Sequence, residues 1–264
     1  MIKQQKLRWL TKLSAIMISL TALSGCITTQ TPLISHTHIG HATTAWKDTP
    51  AQQGLFTIAE KEALIADEHA SYAVENSNNI VLVKTHIKHV RHVLDPASET
   101  SGPGLGYGFI KALTSSRDHI MFAADAADAS ENIKTFSQKW FIDSNAILER
   151  SELIMAITDE ILVSDSVKEV NILAQEVQTL CNANLYGQDS DSNGITGNTS
   201  DEYGILQLQS DLNMMISQED PPYRTIDIKY LFGLIRLPSG VWTFNKNETG
   251  SGGSGRGVDV FYGY

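Results

Sequence analysis

The chain has 264 residues, 42% of them hydrophobic, with 20 Lys+Arg against 30 Asp+Glu and a formal net charge of −10. The acidic surplus disfavours nucleic acid and anionic lipid headgroups as partners, because both are held by basic surfaces, and it suits cation binding. The length allows one large domain or two small ones. Cys26 and Cys181 are the only cysteines, too few for a disulfide framework.

The first stretch reads as a processing signal. Lys3, Lys6, Arg8 and Lys12 make a basic start, and Leu13 to Leu23 is an apolar run too short to span a bilayer stably. It ends in Leu23-Ser24-Gly25-Cys26, which resembles the lipobox of bacterial lipoproteins. The resemblance implies a signal peptide over residues 1–25 and acyl chains such as palmitate on Cys26 that hold the chain to a lipid bilayer. It also implies the outer membrane, periplasmic face, because Ile27 rather than Asp would be second in the mature chain. Cleavage removes four of the 20 basic residues and none of the 30 acidic ones, leaving 16 against 30, a charge of −14. A lipidated Cys26 leaves Cys181 no intrachain partner, and Cys181 reads as a small core residue.

Residues 26–54 are rich in Thr, Gln, Pro and Gly and read as a lipidated tether leading into a lid. They carry His36, His38 and His41, then Trp46. In an extended segment His36 and His38 point the same way, which would make a two-ligand clip. The alternative is a solvated linker.

Residues 55–220 read as a helical bundle. From Thr57 to Asn76 the pattern is helical, with Ile58, Ile65, Tyr72 and Ala73 on one face. Glu62, His69 and Asn76 fall on that face seven residues apart, so they need partners or a metal. Ile80 to Leu94 is a second helix, stopped at Asp95-Pro96. Its His86 lies on the apolar side, His89 at the border and His92 further round, about 60° between neighbours. Ser101-Gly102-Pro103-Gly104 is a turn, and Leu105 to Ala129 reads as a third helix with His119 on its apolar face. Glu131 to Val163 is one helix or two. Ser164-Asp165 is positioned to cap a helix running to Tyr186.

The loop from Gly187 to Thr196 resembles an EF-hand calcium loop. Asp189, Asp191, Asn193, Gly194 and Ile195 stand at positions one, three, five, six and seven. Position twelve is Ser200 where the family has a bidentate Glu; Asp201 and Glu202 follow, and Glu202 could close a longer loop. The calcium set is thus Asp189, Asp191, Asn193, Ile195 and Glu202, with a helix from Asp201 to Ser217 after it. A polar turn without calcium is the other reading. Residues 221–264 change character: Ile226 to Leu237 and Val241 to Phe244 read as strands around Pro238-Ser239-Gly240, and Gly250 to Gly255 as flexible chain.

The fold expected is therefore all-α, an antiparallel helical bundle of about five to six helices with a small C-terminal β-hairpin-like appendage. All eight histidines lie between His36 and His119. His69, His86 and His119 come inward from three consecutive helices, joined by Glu62 and His89 and closed from above by His36, His38 or His41. Imidazoles with a carboxylate suit copper, zinc or iron, and bundles build such sites from inward side chains. No nucleophile elbow, P-loop or His-Glu-x-x-His occurs, so the expectation is a non-enzymatic, metal-binding lipoprotein. Two alternatives stand: a structural or interaction lipoprotein with a buried histidine network and no transition metal, and a metal-dependent redox protein.

Overall fold

The computed structural model describes residues 28–225, 228–231, 234–236 and 242–243. The lipobox and Cys26, the turn at 238–240 and the glycine-rich run lie outside the described residues, so the expected hairpin appendage falls mostly outside them too. Among the described residues no helix is long and apolar enough to cross a membrane.

The chain divides into two compact units, residues 33–223 and a second made of 1–32 with 224–264. In the second unit, strands β1 (Thr28–Gln30), β2 (Ile228–Leu231), β3 (Leu234–Arg236) and β4 (Trp242–Thr243) pair antiparallel in that order. Thr29 faces Lys229 and Tyr230 faces Ile235 in the register.

The larger unit is all helix, in seven elements: α1 (Ile34–Thr43), α2 (Leu55–Glu75), α3 (Ile80–Leu94), α4 (Phe109–Asp125), α5 (Glu131–Val163), α6 (Val167–Tyr186) and α7 (Ile205–Ser217). The segment expected to be tether and lid thus contains a helix. The α2 interface with α3, α4 and α6 is built on small residues. Ala59, Ala63, Ala66, Ala70 and Ala73 are all buried, and their alternating four- and three-residue spacing makes one stripe along the helix. Alanine lets neighbouring backbones approach closely. The face chosen by the large residues is offset from it, and Tyr72 is 36% exposed.

Helix α5 is one helix of 33 residues, about 50 Å long. Ser130 caps it by accepting from Ile133 N at 3.0 Å. Ser137, Ser144, Ser151 and Thr158 recur every seventh residue, all buried rather than at the edge. Their hydroxyls donate to backbone carbonyls, Ser137 to Ile120 of α4 and the others within α5, so a small polar stripe is buried without loss of hydrogen bonds. The cap of α6 is Ser166, which accepts from Glu169 N, and not Ser164-Asp165.

Helix α4 starts at Phe109, later than the expected Leu105, and ends at Asp125 rather than Ala129. The cause is Glu62. Its buried carboxylate accepts from Leu105 N at 3.1 and 3.2 Å and from Gly108 N at 3.3 Å, which holds 105–108 as a loop. Gly104 has φ +100°, and a Cβ there would stand 2.6 Å from Glu62 Oε2, so only glycine fits. Likewise the stretch before α7 is a short 3₁₀ turn, Ser200–Glu202, with the α-helix starting at Ile205. Buried Arg150 holds this stretch by donating to Asp201 O at 2.5 Å, Tyr203 O at 3.1 Å and Asn184 Oδ1 at 3.1 Å.

Candidate metal centres

Helix formation over Ile34–Thr43 decides which histidines meet. At 100° per residue His36 and His38 point to nearly opposite sides, while His38 and His41 stand on one side. The extended His36/His38 clip is therefore overturned. His36 is buried, its Nε2 3.1 Å from Glu219 Oε2. Glu219 in turn accepts from Ser130 Oγ at 2.7 Å and Asn132 Nδ2 at 2.5 Å. His36 serves the interior, away from its two neighbours.

His38 and His41 meet His119 of α4. Nδ1 of His119 lies 3.2 Å from His38 Nδ1 and 3.4 Å from His41 Nδ1, and one ring nitrogen from each of the three falls within 4.8 Å of the others. The Trp46 ring packs 4.7 Å from both the His41 and His119 rings. Phe122 covers His38 and His119 at 5.6 and 5.7 Å. What holds α1 here is remote in sequence. The helix has no side-chain cap of its own; instead the Asp128 carboxylate accepts from Ile34 N at 2.6 Å and Ser35 N at 2.9 Å.

A second trio forms where α2 and α3 pack as a tight hairpin. Asn79 caps α3 by accepting from Val81 N and Leu82 N. One His-x-x-His pair on α3, His86 and His89, faces His69 of α2. His69 Nδ1 is 3.1 Å from His86 Nδ1 and 3.4 Å from His89 Nδ1, and again the three nitrogens gather within 4.8 Å. Tyr72 packs on His69 and His86 at 5.6 and 5.4 Å, and its hydroxyl donates to Glu68 Oε1 at 2.6 Å.

The single inward site expected from His69, His86 and His119 thus divides into two centres, each a His-x-x-His pair with one histidine of a neighbouring helix. All six are half-buried. Glu62 joins neither, being bound to the 105–108 loop. His92 is also outside both: its Nδ1 is buried without a hydrogen-bond partner, with its ring against Gly102. The signal available in the sequence was the repeat of His-x-x-His at 38–41 and 86–89. Trp46 and Asp128 left no such mark as site residues.

Four of the six rings are pushed toward the neutral form. Burial, then the neighbouring His41 and His38, lowers His119 to about 4. Burial and His38 lower His41. Burial with the other ring charges lowers His69 and His89. Neutral imidazoles keep a lone pair, which is the ligating form. Two nitrogens bound tetrahedrally to zinc at its usual bond length stand about 3.3 Å apart, and the closest pairs in both trios bracket that value. Each trio can hold a transition-metal ion and leaves a coordination position to be filled.

A third group is carboxylate. Asp189, Asp191 and Glu202 each bring one oxygen within 4.8 Å of the others. Asp189 accepts from Asn193 N at 3.0 Å and Gly194 N at 2.8 Å, which curls the loop. Glu202, fully buried, accepts from Ser190 N at 2.9 Å and Asn198 N at 2.9 Å. Burial raises its carboxyl, but these and the Asp191 amide outweigh it and hold the group below the usual range. Asn193 stands outside the trio and its Oδ1 accepts from Ile195 N at 2.8 Å. Ile195, expected to offer its carbonyl, has an exposed side chain.

No known protein family, curated protein or solved structure matches this chain.

Proposed function

We propose that the protein is a membrane-anchored periplasmic lipoprotein that binds transition metal at two His₃ centres, His38/His41/His119 and His69/His86/His89. The observation that carries this reading is the gathering of three imidazole nitrogens within 4.8 Å, twice, on unrelated helix pairs. A buried hydrogen-bond network would not need both trios to converge on Nδ1. The acylated Cys26 in an outer membrane rests on the lipobox alone. Elemental analysis of the purified protein after loading with copper, zinc or iron tests the metal reading. Two equivalents per chain are expected, one lost in His119→Ala and the other in His69→Ala. No retained metal, with stability unchanged in both variants, would sink it in favour of the interaction protein. Cys26→Ser should release the chain from the membrane fraction; unchanged partitioning would remove the anchor.

A second reading concerns the 189–202 loop as a calcium site closed by Glu202 at its fourteenth position. Its support is the convergence of Asp189, Asp191 and Glu202, oxygen donors of the kind calcium takes. Calcium should raise the melting temperature of the wild type and fail to do so in Asp189→Ala. A wild type indifferent to calcium rules this site out.

A further inference from the structure

The two histidine trios share a ligand set and differ in what surrounds it. Resting on the metal reading above, we propose that the His38/His41/His119 centre takes a monovalent copper ion, while the His69/His86/His89 centre takes a divalent ion of the zinc type.

The first difference is the roof. Over His38/His41/His119 the indole of Trp46 packs at 4.7 Å on two rings, and Phe122 packs on His38 and His119. Zinc bound by three imidazoles needs a fourth ligand, ordinarily water, and that water needs polar partners. The two aromatic rings supply only the indole N–H of Trp46. Cuprous ion is stable with three ligands and is soft and polarizable, and an aromatic face attracts a cation, indole most strongly. The arrangement therefore leaves cuprous ion complete, whereas zinc must still draw a fourth ligand from solvent past Phe122, which is 51% exposed.

The second difference is charge. The cost of burying an ion rises with the square of its charge, so a dication costs on the order of four times a monocation unless carboxylates offset it. At the Trp46-covered centre Asp118 acts electrostatically on His119, but it is already paired with Arg117 at 3.1 Å. The ammonium of Lys47 lies 6.0 Å from the Trp46 ring. Arg117 and Lys47 therefore leave that centre with less negative charge to offset a second positive charge. At the other centre Glu68 is held by the Tyr72 hydroxyl and acts electrostatically on His69. Glu75 adds a second negative charge near Tyr72. The phenol ring covers only His69 and His86, and Tyr72 is 36% exposed, so solvent can supply the fourth ligand.

The test uses the full chain in two forms. His69→Ala/His86→Ala keeps the Trp46-covered centre, and His38→Ala/His119→Ala keeps the other. Each is titrated with cuprous ion, anaerobically under reductant, and with zinc ion, in competition with chromophoric chelators. The ratio of zinc to cuprous dissociation constants should be at least tenfold larger at the Trp46-covered centre. In that form Trp46→Leu should weaken cuprous binding about tenfold and leave zinc unchanged or tighter. Trp46→Phe, which keeps an aromatic ring, should fall between and serves where the leucine variant does not fold by circular dichroism. Equal ratios at the two centres, or a Trp46 change that weakens both ions alike, overturns the division of labour. Failure of both forms to bind either ion overturns the metal reading itself.

Discussion

Glu62 shows why burial and spacing alone misassign a ligand. It lies on the buried face of α2 and seven residues before His69, the pattern of a carboxylate that completes a histidine site. Its oxygens are instead taken by the amides of Leu105 and Gly108. Burial raises its carboxyl above the usual range, and those amides and the His92 charge pull it back only in part. Glu62→Ala leaves buried N–H donors without partners and a cavity beside Gly104. It should cost about 2–4 kcal/mol in urea unfolding, while the number of bound metal ions stays at the wild-type value. A stable variant that loses metal would return Glu62 to the ligand set.

At the scale of elements, what the sequence revealed depended on how the signal was carried. The span of α3 was legible because Asn79 and Pro96 bound it; that of α5 was legible in its limits but not in being one helix rather than two. The face of α2 was harder, since its interface is alanine and the larger Ile65 and Tyr72 pull the pattern aside. The α1 helix was not legible at all. Its ten residues contain Gly40, threonines and no cap of their own, and its start is fixed by Asp128, 94 positions away from Ile34. This yields a prediction for the element. Burial would raise the Asp128 carboxyl, but the amides of Ser35 and Ile34 outweigh it and hold the group below the usual range. Asp128→Ala should cost about 1 kcal/mol, as loss of a helix cap does, and let the start of α1 fray. Metal affinity at His38/His41/His119 should fall about tenfold with that at His69/His86/His89 unchanged. Equal loss at both centres would show that Asp128 supports the whole bundle rather than α1.

For the molecule as a whole, the all-helical character of residues 33–223 was legible in the periodicity. The grouping of the histidines was not, because it depends on which helices pack together. That packing also sets the pH response. Glu60 of α2 accepts a hydrogen bond from Gln209 of α7, and burial there lifts its carboxyl to about 7 against the opposing effects of Gln209 and Lys61. In the unfolded chain the group titrates near 4.5. The folded state therefore binds more protons between those two values, and its stability falls as pH rises through that window. Asp128, held low, acts in the opposite sense below its ordinary range, so the two effects do not overlap. With allowance for solvent at a partly exposed carboxyl, the Glu60 contribution is about 1–2 kcal/mol. Urea unfolding between pH 5 and pH 8, with chelator present to keep the histidine centres free of metal, should show wild type losing that much relative to Glu60→Gln. The substitution keeps the shape and removes the ionisation, so parallel curves for the two proteins would mean that Glu60 ionises freely in the folded state and that the contact between α2 and α7 does not govern the pH response.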